Sequence, residues 1–109
     1  MDTIIIQSND ISFEEFAQQH EKDVKLIPNQ YGLDGALILS IAIPIIYDLI
    51  KELVKYLNKK KKEKEAEGKL SESDHPVIQI IMPDSTTISI PLIPGIMLDY
   101  ETIMKEIQK

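Results

Sequence analysis

Hydrophobic and polar positions along the first third of the chain predict a strand, a helix and a second strand. The run from Thr3 to Gln7 is rich in β-branched residues and is followed by a polar segment, which is typical of a buried strand. Ser12 and Glu15 have the spacing of a capping box, so we expect a helix to begin there. The run from Val24 to Pro28 predicts a second strand that ends at the proline.

The pattern from Leu33 to about Glu67 predicts one long helix with two different halves. The first half, from Gly35 to Tyr47, is apolar all round, so it must be buried by the fold, by a partner or by lipid. Pro44 either kinks this helix or separates two helices. The second half is amphipathic, because its apolar residues recur at spacings of three and four. These residues are Ile46, Leu49, Ile50, Leu53, Val54 and Leu57.

The last part of the chain predicts a linker, a β-hairpin and a short helix. Residues 60–76 are charged and small, and we expect a flexible linker there, between the long helix and the hairpin. Two β-branched runs lie on either side of Pro83 and Asp84, which have the chemistry of a tight turn. Pro91 in the second run indicates an edge strand, and Asp99 is a candidate N-cap for the last helix.

These elements together predict a single α+β domain over residues 1–109. Their order is β-α-β-α-β-β-α, which favours a small sandwich in which helices cover a four-stranded sheet. Its main helical element is the one long helix, apolar in its first half and amphipathic in its second. A chain of 109 residues is long enough for one modest core and too short for two.

Composition and charge narrow the classes of function. The formal net charge is -6 and every basic residue is lysine, so a nucleic-acid partner is not expected. The chain has no cysteine, which excludes disulfides, thiol nucleophiles and thiolate metal sites. Its first residues lack the basic start and cleavage site of a secretory signal, so we expect a cytoplasmic protein.

The remaining titratable residues do not form a motif that carries chemistry. His20 and His75 have no second ligand at a metal-binding spacing, and a base needs a partner to orient it. Asp34 and Asp48 flank the apolar run, and we interpret Asp34 as a helix cap and Asp48 as part of a solvated face. No nucleophile elbow, phosphate-binding loop or zinc motif is present. We therefore expect no enzyme, no cofactor and no metal.

The long helix carries the residues that we expect to contact a partner. Its apolar half offers more hydrophobic surface than so small a sheet can cover. A bilayer core of about 30 Å needs roughly 20 apolar residues, and the run here is shorter and meets Asp48. Burial in the fold, a partner-facing surface and a membrane-active surface all stay open. The candidate interface or membrane residues are Leu37, Ile41, Ile45, Leu49, Leu53 and Tyr56.

Two charged segments that follow the apolar run are further candidates. Lysines after such a run can anchor it to anionic lipid headgroups, or they can simply complement the dipole at a helix end. Exposed small and polar residues are where proteolytic nicking concentrates. The candidate basic anchor is Lys59, Lys60, Lys61 and Lys62. The candidate cleavage linker is Glu67, Gly68, Lys69, Leu70 and Ser71.

Four stretches that span nearly the whole chain carry a family resemblance. Val24–Pro28 with Tyr31–Leu37 has the form of a short strand, a loop and a glycine-containing entry into a helix. Leu49–Lys61 is an amphipathic segment that ends in a basic run. Val77–Ile90 forms a hairpin pattern around a Pro-Asp turn, and Asp99–Ile107 a closing helix. In these stretches the chain resembles the effector-associated constant component family of bacterial conflict systems.

The resemblance implies a non-enzymatic protein that acts beside an effector in antiphage defence. Such an effector is often a caspase-like or trypsin-like peptidase, and this chain would bind it or be its substrate. A homo-oligomer is a further association that stays open. The alternative is a latent membrane-disrupting effector, whose apolar helix is released when a peptidase cuts residues 63–75. That protein would move from the cytoplasm to the inner membrane on activation.

Overall fold

The computed structural model describes residues 3–8, 11–31, 37–71 and 73–108. These residues form an α+β fold, as the sequence predicts, with five strands and three helices. The elements in chain order are β1 (Thr3–Ser8), α1 (Glu14–Gln19), β2 (Lys25–Tyr31), β3 (Leu37–Pro44), α2 (Tyr47–Ala66), β4 (Val77–Ile81), β5 (Thr87–Pro91) and α3 (Tyr100–Ile107).

The five strands form one sheet in the order β2-β3-β1-β4-β5, and every neighbouring pair is antiparallel. The strand β1 therefore lies at the centre. Its Ile5 is opposite Ala42 of β3 on one side and opposite Ile81 of β4 on the other. The two hairpins, β2-β3 and β4-β5, flank this central strand.

All three helices pack on one face of the sheet. Side chains of a strand alternate between the two faces, and in β1 the residues Ile4 and Ile6 are fully buried while Ile5 and Gln7 are only partly so. The helix α2 supplies most of the apolar cover. Tyr56 of α2 packs against the ring of Phe16 and donates a hydrogen bond to the carbonyl oxygen of Ser12. Burial raises the pKa of Tyr56 to about 12, so its hydroxyl stays protonated.

The prediction that the apolar segment is a helix is wrong, and so is the count of four strands. Leu37–Pro44 is the strand β3, which lies between β1 and β2. A strand inside a sheet can have a continuous apolar run, and periodicity alone cannot distinguish such a run from a buried helix. Pro44 ends the strand, so it neither kinks a helix nor separates two. Gly35 and Asp34 lie outside the described residues.

Several predicted boundaries also differ from the structure. The strand β2 continues through Pro28 to Tyr31, with an irregular register between Ile27 and Gln30. Such an irregularity lets the strand contain a proline. The helix α1 begins at Glu14, whose backbone N–H donates to the hydroxyl of Ser12 over 3.3 Å. Since α2 extends to Ala66, the predicted linker of about 60–76 begins later, after that residue.

The prediction is confirmed at the C-terminal end of the fold. Met82 and Thr86 close the β4-β5 hairpin through a backbone hydrogen bond of 2.8 Å, with Pro83 and Asp84 in the turn. The strand β5, which ends at Pro91, is an edge strand. The carboxylate of Asp99 caps α3 by accepting from the backbone N–H of Glu101 and from the hydroxyl of Thr102.

Candidate functional site

An open groove of about 970 Å³ lies at one end of the sheet. Three segments form it: the chain that leaves β3, the β4-β5 turn and the last turn of α3. Most of the side chains that line it are apolar, with a few polar groups among them. They are Pro44, Ile45, Ile46, Met82, Pro83, Asp84, Thr86, Ile88, Glu106, Ile107 and Gln108.

Local hydrogen bonds fix the two loops that frame this groove. The backbone N–H of Ile46 donates to the carbonyl oxygen of Pro44 over 2.9 Å, which turns the chain from β3 into α2. Ile46 itself is extended, with φ -122° and ψ 128°, and occupies the N-cap position of α2. In the β4-β5 turn, the N–H of Ser85 donates to the carbonyl of Met82 over 2.9 Å. Both walls of the groove are therefore held by backbone geometry.

The polar groups of the groove are acidic. The carboxylate of Asp84 accepts a 2.9 Å hydrogen bond from the backbone N–H of Thr86, which lowers the pKa of Asp84 below its ordinary value. Glu106 of α3 adds a second carboxyl group to the lining. Among the described residues that line the groove, none is lysine or histidine. An apolar ligand with a cationic group is the chemical complement of this surface.

Two exposed apolar residues extend the groove surface onto the first turn of α2. Ile46 is 49% exposed and Tyr47 is 48% exposed. The ring of Tyr47 packs edge-on against Tyr100 of α3, with 5.5 Å between ring centroids. A hydrogen bond with Tyr100, together with burial, raises the pKa of Tyr47 to about 12, so the hydroxyl is neutral at physiological pH. The side chains of Ile46 and Tyr47 therefore add apolar, uncharged surface to the groove.

The predicted interface residues do not form one surface. Ile41 is fully buried in β3, and Leu49, Leu53 and Tyr56 are buried on the inner face of α2. Leu37 belongs to β3 rather than to a helix. Ile45 is partly buried, packs against the core and also lines the groove. Of these six predicted residues, Ile45 is the one that the structure places at the groove.

The four lysines of the predicted basic anchor are separated by their surroundings. Lys61 is only 2% exposed, and its Nζ lies 2.9 Å from Oε1 of Glu65. That carboxylate also accepts from the backbone N–H of Gly95, and both contacts lower the pKa of Glu65. Nζ of Lys60 lies 3.7 Å from Oε2 of Glu15 and 3.6 Å from Oε2 of Glu63. Lys59 and Lys62 are exposed, so the basic run does not form one continuous positive surface.

No described helix is both long and apolar enough to pass through a bilayer. The segment predicted to be the apolar helix contributes β3 instead, and α2 has lysines and glutamates along much of its length. In the described part of the chain, the basic run therefore does not follow a membrane-spanning helix that it could anchor.

The predicted cleavage linker is the surface turn that ends α2. Gly68 has a left-handed φ of 71°, and the N–H of Lys69 donates back to the carbonyl of Lys64 over 2.9 Å. This geometry is a common way to end a helix. Glu67, Gly68, Lys69 and Ser71 are exposed and Leu70 is half-buried. Whether a peptidase cuts there stays a prediction.

Limited digestion with trypsin is expected to cut first after Lys69. This lysine lies in an exposed segment, whereas the lysines of α2 are protected by helical hydrogen bonds. Lys22 is also exposed, but backbone hydrogen bonds from Asp23 and Val24 to His20 close its turn tightly. The two fragments should stay together on native gel filtration, because β4 pairs with β1 and buries Ile78 and Ile80. Mass spectrometry identifies the cut, and Lys69→Gln should abolish it. A first cut inside α2, or fragments that separate, would contradict this expectation.

The two histidines each contact a group that is close to them along the chain. His20 packs against Phe16, with 4.6 Å between ring centroids, and Nδ1 of His75 lies 3.2 Å from the carbonyl oxygen of Ser71. Asp48 is exposed in the first turn of α2, and Asp34 lies outside the described residues. In the described ranges, no three histidine, aspartate or glutamate residues are close enough together to hold a metal ion.

The groove residues Met82, Asp84 and Ile107 were not predicted as functional. Pro83 and Asp84 gave a turn signal, but a turn alone does not indicate a binding surface. The signal that could have found the groove is the proline at the end of β3 together with the proline in the β4-β5 turn. It becomes useful only once Leu37–Pro44 is recognised as a strand.

Comparisons with protein-family models, with curated proteins and with solved structures find no match for this chain. What the protein does is therefore inferred from its own residues, their geometry and the resemblance described above.

Proposed function

We propose that this protein is a non-catalytic accessory component of a bacterial antiphage defence system, which binds an associated effector through the groove. The groove is the observation that carries the proposal. Its volume of about 970 Å³ lies within the usual range for ligand-binding clefts, and its lining is mainly apolar. The proposed role in defence rests on the resemblance of the four stretches to the effector-associated constant component family. The effector that this resemblance implies is a caspase-like or trypsin-like peptidase.

The chemistry of the groove specifies the segment that it would accept. Apolar side chains of the partner would pack on Ile45, Ile46 and Met82, which replaces water at these surfaces. A lysine or arginine of the partner would lie near the carboxylate of Asp84. An acidic or strongly polar segment would be repelled or left without hydrogen bonds. We therefore expect a partner segment that combines apolar residues with one basic residue.

The alternative of a latent membrane-disrupting effector lacks the element that it needs. It depends on an apolar helix over Gly35 to Tyr47, and most of the described part of that segment is β3. A cut in the linker would also leave the β4-β5 hairpin in the sheet, because β4 is hydrogen-bonded to β1. The proposal therefore keeps the linker as a site at which an effector peptidase can cut, without a released membrane helix.

Ile46→Asp is expected to weaken binding to the effector at least about tenfold, because it puts a charge into the apolar part of the groove. Aspartate suits the extended N-cap position of α2, so the variant should fold normally. Binding is measured by isothermal titration against the proposed effector peptidase. The matched control is Ile96→Asp, which changes an exposed isoleucine near the other end of α2. Equal affinity for both variants and the unchanged protein would refute the groove as the binding site.

A further inference from the structure

The sheet has a second face, opposite the helices, that no described helix covers. Because side chains alternate along a strand, this open face carries the residues between the core positions of β1, β3 and β4. Its centre consists of Ile5, Gln7, Ala42, Gln79 and Ile81, which are partly exposed, while Ser40 between them is only 1% exposed. Val77 on the same face is 40% exposed. A sheet with one helical layer thus presents a broad, partly apolar surface on its other side.

The open face carries almost no charge. Charged residues make up 28% of the chain, and the formal net charge is -6. Among the described strand residues of the open face, Lys25 alone is charged, and it lies on the edge strand β2, opposite Ala42. The acidic side chains lie elsewhere, mainly on the helices and turns. Two copies of this acidic chain can therefore approach through this face with the least electrostatic repulsion.

The polar groups of the open face are self-complementary. Nε2 of Gln7 donates to Oε1 of Gln79 over 2.7 Å, and the hydroxyl of Ser40 lies 3.5 Å from Oε1 of Gln7. Ser40 is buried, whereas the partly exposed amides of Gln7 and Gln79 contain both donors and acceptors and can pair with their own copies across a two-fold axis. A row of like charges could not do so. The apolar side chains of Ile5 and Ile81 lie beside this row.

Association through the sheet edges is disfavoured, in contrast to the face. Pro28 lies inside the edge strand β2 and Pro91 ends the edge strand β5, and proline cannot donate to a neighbouring strand. The face is also large enough. Five strands about 4.8 Å apart, with about five residues each at about 3.4 Å, cover roughly 24 by 17 Å. Two such surfaces with their side-chain relief would bury on the order of 1,000 Å², which is more than most crystal contacts bury and is the size of a weak, reversible interface.

We infer that the open face binds a second copy of this chain, sheet against sheet, in a two-fold symmetric dimer. The two sheets would pack about 10 Å apart, with the amide rows and the isoleucines of both copies in contact. The helices and their acidic side chains would lie on the outside of the dimer. This interface is separate from the groove at the end of the sheet, so the proposed partner and the second copy use different surfaces.

Light scattering coupled to gel filtration tests the dimer on the full chain between about 1 μM and about 1 mM. The expected mass is twice the chain mass of 12.4 kDa. Gln79→Glu should raise the dissociation constant at least about tenfold, because it puts one carboxylate from each copy into an otherwise nearly uncharged interface. It keeps the oxygen that accepts from Gln7, so the fold should persist. Gln18→Glu on the exposed side of α1 is the matched control and should leave the dimer unchanged.

Val77→Lys provides a second variant that does not depend on the amide row. Val77 is exposed and lies on the same face, so the lysine should weaken the dimer without disturbing the core. A thermal unfolding curve for each variant confirms that it is folded. A monomer mass over the whole concentration range would overturn the inference. The inference would also be overturned if the dimers of Gln79→Glu and Val77→Lys had the same dissociation constant as the dimer of Gln18→Glu.

Discussion

Ile41→Asp is expected to abolish the folded state of this protein. Ile41 is 0% exposed and lies in β3, opposite Ile6 of β1 and Leu26 of β2. Truncating such a side chain costs about 2–5 kcal/mol, and an unpaired carboxylate in the same place adds several kcal/mol more. Small domains are stable by only about 5–15 kcal/mol, so the sum reaches most or all of that margin. Circular dichroism during thermal and urea unfolding measures the effect.

The control for this variant is Ile46→Asp, the same substitution at a residue that is half-exposed. It should unfold cooperatively close to the transition of the unchanged protein. A cooperative transition for Ile41→Asp within a few degrees of that value would show that Ile41 is not in the core. The comparison also shows why Ile41, which the sequence suggests as an interface residue, cannot serve as a surface probe.

Asn58→Ala is expected to lower the free energy of unfolding by about 1.5 kcal/mol. The side-chain amide of Asn58 donates to the carbonyl oxygen of Leu98 over 3.1 Å and accepts from its N–H over 2.9 Å. These two bonds hold the segment before α3 against α2. Each contributes about 0.5–1.5 kcal/mol, and the higher helix propensity of alanine recovers about 0.5 kcal/mol. The shift of the urea midpoint measures the loss, and hydrogen exchange of the Leu98 amide locates it.

Asn58→Asp separates the two hydrogen bonds. Aspartate can still accept from the N–H of Leu98 but cannot donate to its carbonyl oxygen, so a smaller loss is expected. Lys59→Ala, at the next position of α2, is the control for a side chain that is exposed. If Asn58→Ala and Lys59→Ala have the same stability, the contact between α2 and Leu98 does not hold the fold together.

The elements that sequence reasoning predicted well are those whose signals are local. Asp99 caps α3 through residues two and three positions away, and the β4-β5 turn closes between Met82 and Thr86. The apolar run of β3 has no such local signal. Whether this run forms a strand or a helix is decided by tertiary contacts. Ile41 pairs with Ile6 and Leu26, which lie far from it along the chain. Without those partners, a buried helix and a buried strand have the same composition.

The groove could not be predicted for a related reason. It joins Ile46, Met82 and Ile107, which are distant in sequence and meet only because β3 and β4 flank β1. The burial of Lys61 could not be predicted either, because a lysine in a basic run is normally solvated. Here it is buried, because Glu65 is on the same helix face and Gly95 is folded against that carboxylate. Patterns of residue type do not contain such tertiary information.

The central position of β1 also shapes how the chain folds during synthesis. β1 leaves the ribosome before both of its neighbours, since it pairs with β3 and with β4. At about 5–20 residues per second, the roughly 70 residues between β1 and the end of β4 take about 4–15 s to emerge. During about the first half of that interval Ile4, Ile5 and Ile6 have neither neighbouring strand, and until its end they lack β4. The nascent chain therefore presents an isoleucine-rich segment to chaperones until the sheet closes around it.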